Sequence, residues 1–391
     1  MQGCLYAHSS KAVGRRPVPA PAFTAQASIT PGRSPSTPPG PDRLGVRARA
    51  RRAAAVLVLL ALVTALSLMI CLGIGPVPIA PGATMQVIAQ HLGFPVAGSA
   101  DPSLDAIIWT VRLPRVLMGA AVGACLAICG AALQAMVRNM LADPYILGVS
   151  GGASTGAAAA ILFGIGAALG QYAQSVLAFL GAMGAALLVF AIARTGGRVT
   201  SLRLLLSGVA VGYALTAATN LLIFSSDSAE GSRSVMFWML GSLALAQWNA
   251  FLAIAVLAAG LGVAVMMLGA RVLDALSAGD EIAHGLGISP DRARIGLLAV
   301  VSLCTAAAVA GAGSIGFVGL VIPHLARRLV GARHRVLIPA SALLGALFLL
   351  WADALARVVM APRELPIGVI TAAIGAPFLL FLVRRLYARR P

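Results

Sequence analysis

The chain of 391 residues is 59% hydrophobic and only 10% charged, with a mean hydropathy of +0.93. That is too little charge to coat a soluble domain of this size. The net charge of +17 is carried by arginine, since Lys11 is the sole lysine. Most arginines flank apolar runs instead of clustering on a polar domain, which argues against nucleic acid as a partner.

Residues 1–50 hold eight prolines between Pro17 and Pro41, with Ser, Thr and Gly between them and no apolar periodicity. Such a segment is expected to be a disordered basic tail, because it cannot bury enough surface to offset its ordering entropy. Residues 51–391 are expected to form a single transmembrane domain of spans and short loops. Ten spans are predicted, at 53–74, 116–137, 147–167, 174–193, 204–224, 248–269, 295–312, 316–330, 336–356 and 366–384. Two apolar runs, Ala53 to Ile74 and Val116 to Val137, are each 22 residues long, enough to cross a hydrocarbon core at about 1.5 Å per residue. Pro144 to Ala193 carries no charge over 50 residues. The break between Gly164 and Gln171 divides it into two spans. The eighth span is short and contains Pro323.

Arginine counting sets the orientation. With the N-terminus inside, inner segments from Arg43 onward hold 20 arginines and outer segments only Arg112, Arg115, Arg233, Arg357 and Arg363. Both termini are therefore expected in the cytoplasm. Glycines and alanines crowd the spans, as helices packing closely in lipid require.

Chemistry-bearing residues are sparse. Cys125 and Cys129 share a helix face but have no His or carboxylate near them in sequence, so they read as packing residues. Asp353 and its i+4 neighbour Arg357 are the only charges at membrane depth and can pair on one helix face. An ion-coupled secondary transporter usually needs more than this. An intramembrane serine protease using Ser150 or Ser154 with His324 would need nucleophile and base within hydrogen-bond reach, and nothing in the sequence places them so. The longest charged inner loop, Arg271 to Arg294, contains the segment from Ala275 to Ser289. Asp280 and Glu281 there stand in the first turn of an expected short helix, which Gly285 and Gly287 end. No Walker motif is present, and neither glycine-rich stretch, 148–156 or 311–319, carries a phosphate-binding lysine.

Nine segments occur in an order that is similar to one known family: RLPR at 112–115, NMLADPYILGVSGGAS at 139–154, RLLLSGVAVG at 203–212, FWMLGSL at 237–243, GDEIAHGLGIS at 279–289, GSIGFVGLVIPHLARRLVG at 313–331, HRVLIPASALLGA at 334–346, ADALAR at 352–357 and ELPIGVITAAIGAPFLLFLVRR at 364–385. The chain resembles the permease subunits of ABC importers for iron–siderophore complexes, haem and vitamin B12, with Met140 where the family usually has proline. The resemblance implies an all-α type II importer fold of ten transmembrane helices in the inner (plasma) membrane, working as a homodimer with cytoplasmic ATPase subunits and a periplasmic binding protein. It implies no cofactor, metal or catalytic residue in this chain. It assigns binding-protein docking to Arg112, Arg115 and Arg357, and ATPase coupling to Gly279, Asp280, Glu281, Ala283 and Gly287. A cytoplasmic gate is implied at Asn139, Leu141, Thr200 and Ser201.

Overall fold

The structure, a computed structural model, describes residues 46–95, 101–194 and 200–387. All regular elements among them are helical, including 3-10 turns at Pro144–Leu147 and Ala167–Tyr172 besides those that follow. In chain order they are α1 (Val46–Gly73), α2 (Pro81–His91), α3 (Pro102–Asp105), a π-helical stretch (Ala106–Arg112), α4 (Leu113–Val137), α5 (Val149–Phe163), α6 (Ala173–Ala193), α7 (Ser201–Phe224), α8 (Ala229–Met239), α9 (Ala250–Leu268), α10 (Ala270–Ala278), α11 (Asp280–Gly285), α12 (Pro290–Ala312), α13 (Val318–Val330), α14 (His334–Val358) and α15 (Ile367–Tyr387).

Starts are set by ordinary cap chemistry. Prolines occupy the first turn of α2, α4 and α12, where the missing N–H costs nothing. Thr200, Ser228 and Asn249 cap α7, α8 and α9 with side-chain oxygens.

Among the described residues, eight helical segments are long and apolar enough to cross a membrane. The other two expected spans form helices at the predicted places but shorter: α5 has 15 residues and α13 has 13, about 20 Å each and well under a 30 Å hydrocarbon core. The expected tail extends too far by five residues. Residues 46–50 are already helical within α1, while 1–45 lie outside the described residues. The expected short helix with Asp280 and Glu281 in its first turn is present as α11 (Asp280–Gly285). Gly279 (φ 129°, ψ 158°) breaks the segment into α10 and α11, a conformation that only glycine adopts without strain.

α4 is the central helix. Its most apolar window is 83% buried, against 22–28% for α1, α7, α9 and α15, so it packs inside while those four present faces to lipid or to a partner. Its glycines explain the fit. A Cβ on Gly123 would stand 2.2 Å from the carbonyl oxygen of Gly345 in α14, and one on Gly130 would stand 1.9 Å from that of Gly319 in α13. Backbone meets backbone at both places.

The linker from α12 to α13, residues 313–317, dips into the bundle because α13 is so short. Its polar backbone is answered by protein, as irregular chain at membrane depth requires. Ile315 N donates to the Tyr145 hydroxyl at 2.8 Å, which donates to Ile315 O at 3.0 Å, and Ser242 N donates to Ala312 O at 2.9 Å.

Candidate functional site

At the end of the bundle that carries α2, three arginines converge. Arg115 Nε donates to Asp353 Oδ1 at 2.9 Å, and its Nη1 reaches both oxygens of Glu364 at 3.0 and 2.9 Å. Arg357 Nε lies 3.1 Å from Asp353 Oδ2, so the expected i+4 pair forms. Arg357 also donates to the carbonyls of Ile74 and Cys71 at 2.6 and 3.0 Å, and Arg112 donates to those of Leu72 and Val77. The two arginines thereby satisfy carbonyls that the end of α1 leaves open. Arg112, Arg115 and Arg357 are 5%, 6% and 2% exposed. The three residues to which docking is assigned are therefore buried and bonded within the chain. Charges this deep are retained only when paired and hydrogen-bonded, and here α1, α14 and the loops that follow each of them supply the partners.

Beside this network lies a cleft of about 550 Å³, within the range of small-ligand pockets. Glu230, Arg233 and Phe237 of α8 face Gln174 of α6 and Asn249 across it, and Glu364 joins it to the arginine network.

At the opposite end the segment α10–α11 is anchored at two points. Asp274 Oδ1 accepts from His334 N at 2.9 Å and lies 2.6 Å from His334 Nδ1, so α10 caps α14. Asp280 is gripped by Arg294 of α12 through two bonds, at 2.7 and 3.1 Å. The Arg294 guanidinium holds the Asp280 carboxyl below the usual carboxylate range. Of the residues expected to couple to a partner, Gly279 and Ala283 are buried and Asp280 is committed to Arg294, whereas Glu281 and Gly287 are exposed. Ile282 and Leu286, which the sequence reading did not single out, are 52% and 65% exposed. They stand one turn apart and form an apolar spot flanking Glu281.

The elbow between α4 and α5 adjoins this segment. Arg138 adopts a left-handed conformation (φ 55°), and its Nη1 would lie 3.5 Å from a Cβ on Gly279. Asn139 Oδ1 accepts from Leu141 N at 2.9 Å, closing a side-chain turn. Ser201 Oγ donates to Met136 O at 3.3 Å, and Thr200 caps α7. Ser201 thus lies beside the end of α4, and Asn139, Leu141 and Thr200 are exposed. Gln134 fastens the elbow from behind. Its Nε2 donates to Ala142 O, Gly319 O and Leu320 O, and its Oε1 accepts from Arg327.

Asp143 in the elbow accepts from Tyr145 N at 2.9 Å, and burial pushes its carboxyl up to about 6. The folded value exceeds the unfolded one of 3.8, so the fold favours the neutral acid. The associated stability is present in full below about pH 4 and is lost as pH rises through about 6. Asp143→Asn keeps the capping oxygen and removes the titration. It is expected to raise stability by up to about 3 kcal/mol at pH 8 and by little at pH 4. Thermal unfolding of the purified variant at both values is the check, and a pH-independent difference would discard the assignment.

The protease constellation is not assembled among the described residues. Ser150 Oγ pairs with Ser314 Oγ at 2.8 Å, Ser154 is buried, and the His324 ring packs edge-on against Phe378 with neither nitrogen bonded. Cys125 and Cys129 are free, buried thiols, whose sulfurs donate to the carbonyls of Ala255 and Val301. Among the described residues no group of three His, Cys, Asp or Glu is placed to hold a metal ion.

Comparison with known proteins agrees with this architecture. Residues 59–385 match the FecCD transport family. The chain is 46% identical over 293 residues to the cobalamin import system permease protein BtuC of Halobacterium salinarum, covering 74% of this chain and 76% of that one. It is 41% identical over 280 residues to the Fe(3+)-citrate import system permease protein YfmD of Bacillus subtilis (71% and 81% covered), and 41% identical over 285 residues to the hemin transport system permease protein HmuU of Yersinia pestis (71% and 83% covered). A solved inward-facing conformation of an ABC transporter described as metal-chelate type superposes with a TM-score of 0.73 at 33% identity, over 85% of this chain and 99% of that one. The chain belongs to the FecCD transport family.

Proposed function

We propose that this FecCD-family chain is the membrane-spanning permease subunit of an ATP-binding-cassette importer, moving an iron–siderophore, haem or cobalamin-type cargo. It works as a homodimer in the plasma membrane with both termini cytoplasmic, an orientation supported by the 20 inner against 5 outer arginines. Energy comes from separate ATPase subunits at the α10–α11 end, and cargo comes from a binding protein at the α2 end. The relatives serve cobalamin, ferric citrate and hemin by name, large chelates or macrocycles in each case. An ion-coupled transporter is less favoured, because the buried Asp353 is closed off between Arg115 and Arg357.

Three roles complete the reading. Gly279, Asp280, Glu281, Ala283 and Gly287 form the coupling element, in which Asp280 and Ala283 anchor the segment and Glu281 makes contact. Asn139, Leu141, Thr200 and Ser201, doubled by the second copy, close the cytoplasmic mouth. Arg112, Arg115 and Arg357 serve binding-protein docking by fixing the shape of the rim from within. The second copy would cover α7, where Leu202, Leu206, Val209 and Tyr213 are exposed along one face.

The observation that carries the proposal is the small apolar spot on an otherwise anchored segment. Ile282 and Leu286 are exposed beside Glu281, while Asp274 and Asp280 hold the backbone beneath them. Such a preorganised patch suits a protein partner. Leu286→Asp combined with Glu281→Arg is expected to cut ATPase co-purification and uptake by about tenfold or more, with the permease itself still folded. Full ATPase stoichiometry and normal uptake would refute the coupling assignment.

A further inference from the structure

We propose that Arg138 is a positioning residue that carries motion of the α10–α11 segment into the elbow of Asn139 and Leu141. This rests on the coupling and gate roles given above and assigns the link between them. Arg138 ends α4 at φ 55° and ψ 37°. Among the described residues, Phe317 is the only other non-glycine residue with a positive φ. A side chain is disfavoured in this conformation, and glycine or asparagine is its usual occupant. Asn139 stands next in the chain and would adopt it more readily. The proposed orientation needs positive charge somewhere in this inner elbow, but not at its strained position. Neither backbone demand nor charge bias accounts for an arginine here.

A strained residue persists where its surroundings hold it. The N–H groups of Arg138 and Asn139 both donate to Gln134 O, the second at 3.3 Å. The Gln134 side chain is bonded in turn to Ala142, Gly319, Leu320 and Arg327. Asn139 Oδ1 accepts from Leu141 N, and Asn139 O accepts from Ala142 N at 3.1 Å. Residues 138–142 are therefore one compact turn, and a torque on Arg138 turns Asn139 and Leu141 with it.

The guanidinium leaves that turn for the coupling segment. α10 packs against α4, and Arg138 Nη1 lies 3.5 Å from where a Cβ of Gly279 would stand, at the break between α10 and α11. The Arg294 bonds are the main cause that holds the Asp280 carboxyl low, and the Arg138 charge adds to it. Asp280 thus answers to cations on both α12 and the elbow. Contact at Gly279 transmits a push, and attraction to Asp280 transmits a pull. Arginine suits the task because its stem is long and its charge does not titrate.

The test uses the complete transporter, permease with ATPase subunits and binding protein, in proteoliposomes. It reads cargo molecules imported per ATP hydrolysed. The probes are cobalamin, ferric citrate, haemin and a ferric hydroxamate, the cargoes by which its relatives are named, and the one that the wild type imports is used throughout. Arg138→Asn suits the left-handed backbone and removes the guanidinium. It is expected to keep ATPase stoichiometry and hydrolysis while imports per ATP fall about fivefold or more. Arg138→Lys, which keeps the charge, is expected to retain about half of the wild-type ratio or more. The double variant Arg138→Asn/Asp280→Asn is expected to lose no more than the worse single variant, because both changes act on one contact. Should Arg138→Asn fail to fold, Arg138→Gly, which relieves the backbone strain, carries the same expectation. An unchanged ratio in the folded variant, a lysine variant no better than asparagine, or independent losses in the double variant each overturn the proposal. A wild-type complex that hydrolyses ATP but imports none of the four probes overturns the transport reading itself, and this inference with it.

Discussion

Replacing Gly130 by alanine is expected to cost about 3 kcal/mol or more, at the upper end of what overpacking costs in a close-packed interior. The added carbon would lie 1.9 Å from Gly319 O, 2.5 Å from its carbonyl carbon and 2.6 Å from its Cα. No flexible side chain is there to yield. Nor can Gly319 shift easily, because the Pro144 ring and the α4 carbonyl of Leu126 crowd it as well. Separating α4 from α13 also stretches the bonds from Gln134 to Gly319 O and Leu320 O. The proper comparison is Gly184→Ala or Gly260→Ala, where a Cβ meets nothing within 4 Å and helix propensity favours alanine by up to about 1 kcal/mol. If Gly130→Ala unfolds at the same temperature as Gly184→Ala, the backbone contact is not what holds α4 in place.

Asp353→Ala is expected to be as severe, at about 3–5 kcal/mol, because it strands Arg115 and Arg357 in the interior without their shared counter-ion. Glu364 still holds Arg115 from the solvent side, but Arg357 keeps only carbonyl acceptors. Asp353→Asn retains an acceptor for Arg115 and is expected to fall between alanine and wild type. The triple change Arg115→Met/Asp353→Leu/Arg357→Met removes the uncompensated charge and is expected to recover part of the loss. It still leaves the carbonyls of Cys71 and Ile74 without donors. Thermal unfolding of the four purified proteins ranks them, and an Asp353→Ala variant as stable as wild type would contradict the network.

The sequence was legible where one physical signal dominated. Ten apolar stretches are helices within a few residues of their expected positions, because a bilayer rewards uninterrupted apolar length. α2, the π-helical stretch before α4 and α8 were not foreseen. They are short and mixed in polarity, and their shape depends on what they rest against. The environment of the RLPR arginines was illegible for a related reason. Arg115 meets Asp353 across 238 residues and Glu364 across 249, and no local pattern announces such a meeting. The coupling segment was half legible. Acidic residues beside glycines marked a helix start, but the break at Gly279 and the grip of Arg294 on Asp280 are tertiary facts.

α14 has a mechanical consequence. Its first residue is clasped by Asp274 of α10, and nineteen residues later Asp353 is clasped by Arg115, about 30 Å along the axis. α14 is therefore a stiff rod pinned at both tips, with a single weak joint at Pro339 near the clasped start. A tilt of about 4° at one tip displaces the other by about 2 Å, comparable with the helix shifts that separate functional states in other proteins. A push on α10 would then be felt at the far tip as a change in the spacing between Arg357 and the carbonyls of Cys71 and Ile74. Such a signal crosses the membrane as rigid-body motion, and no relay of rearranging side chains is needed along the way.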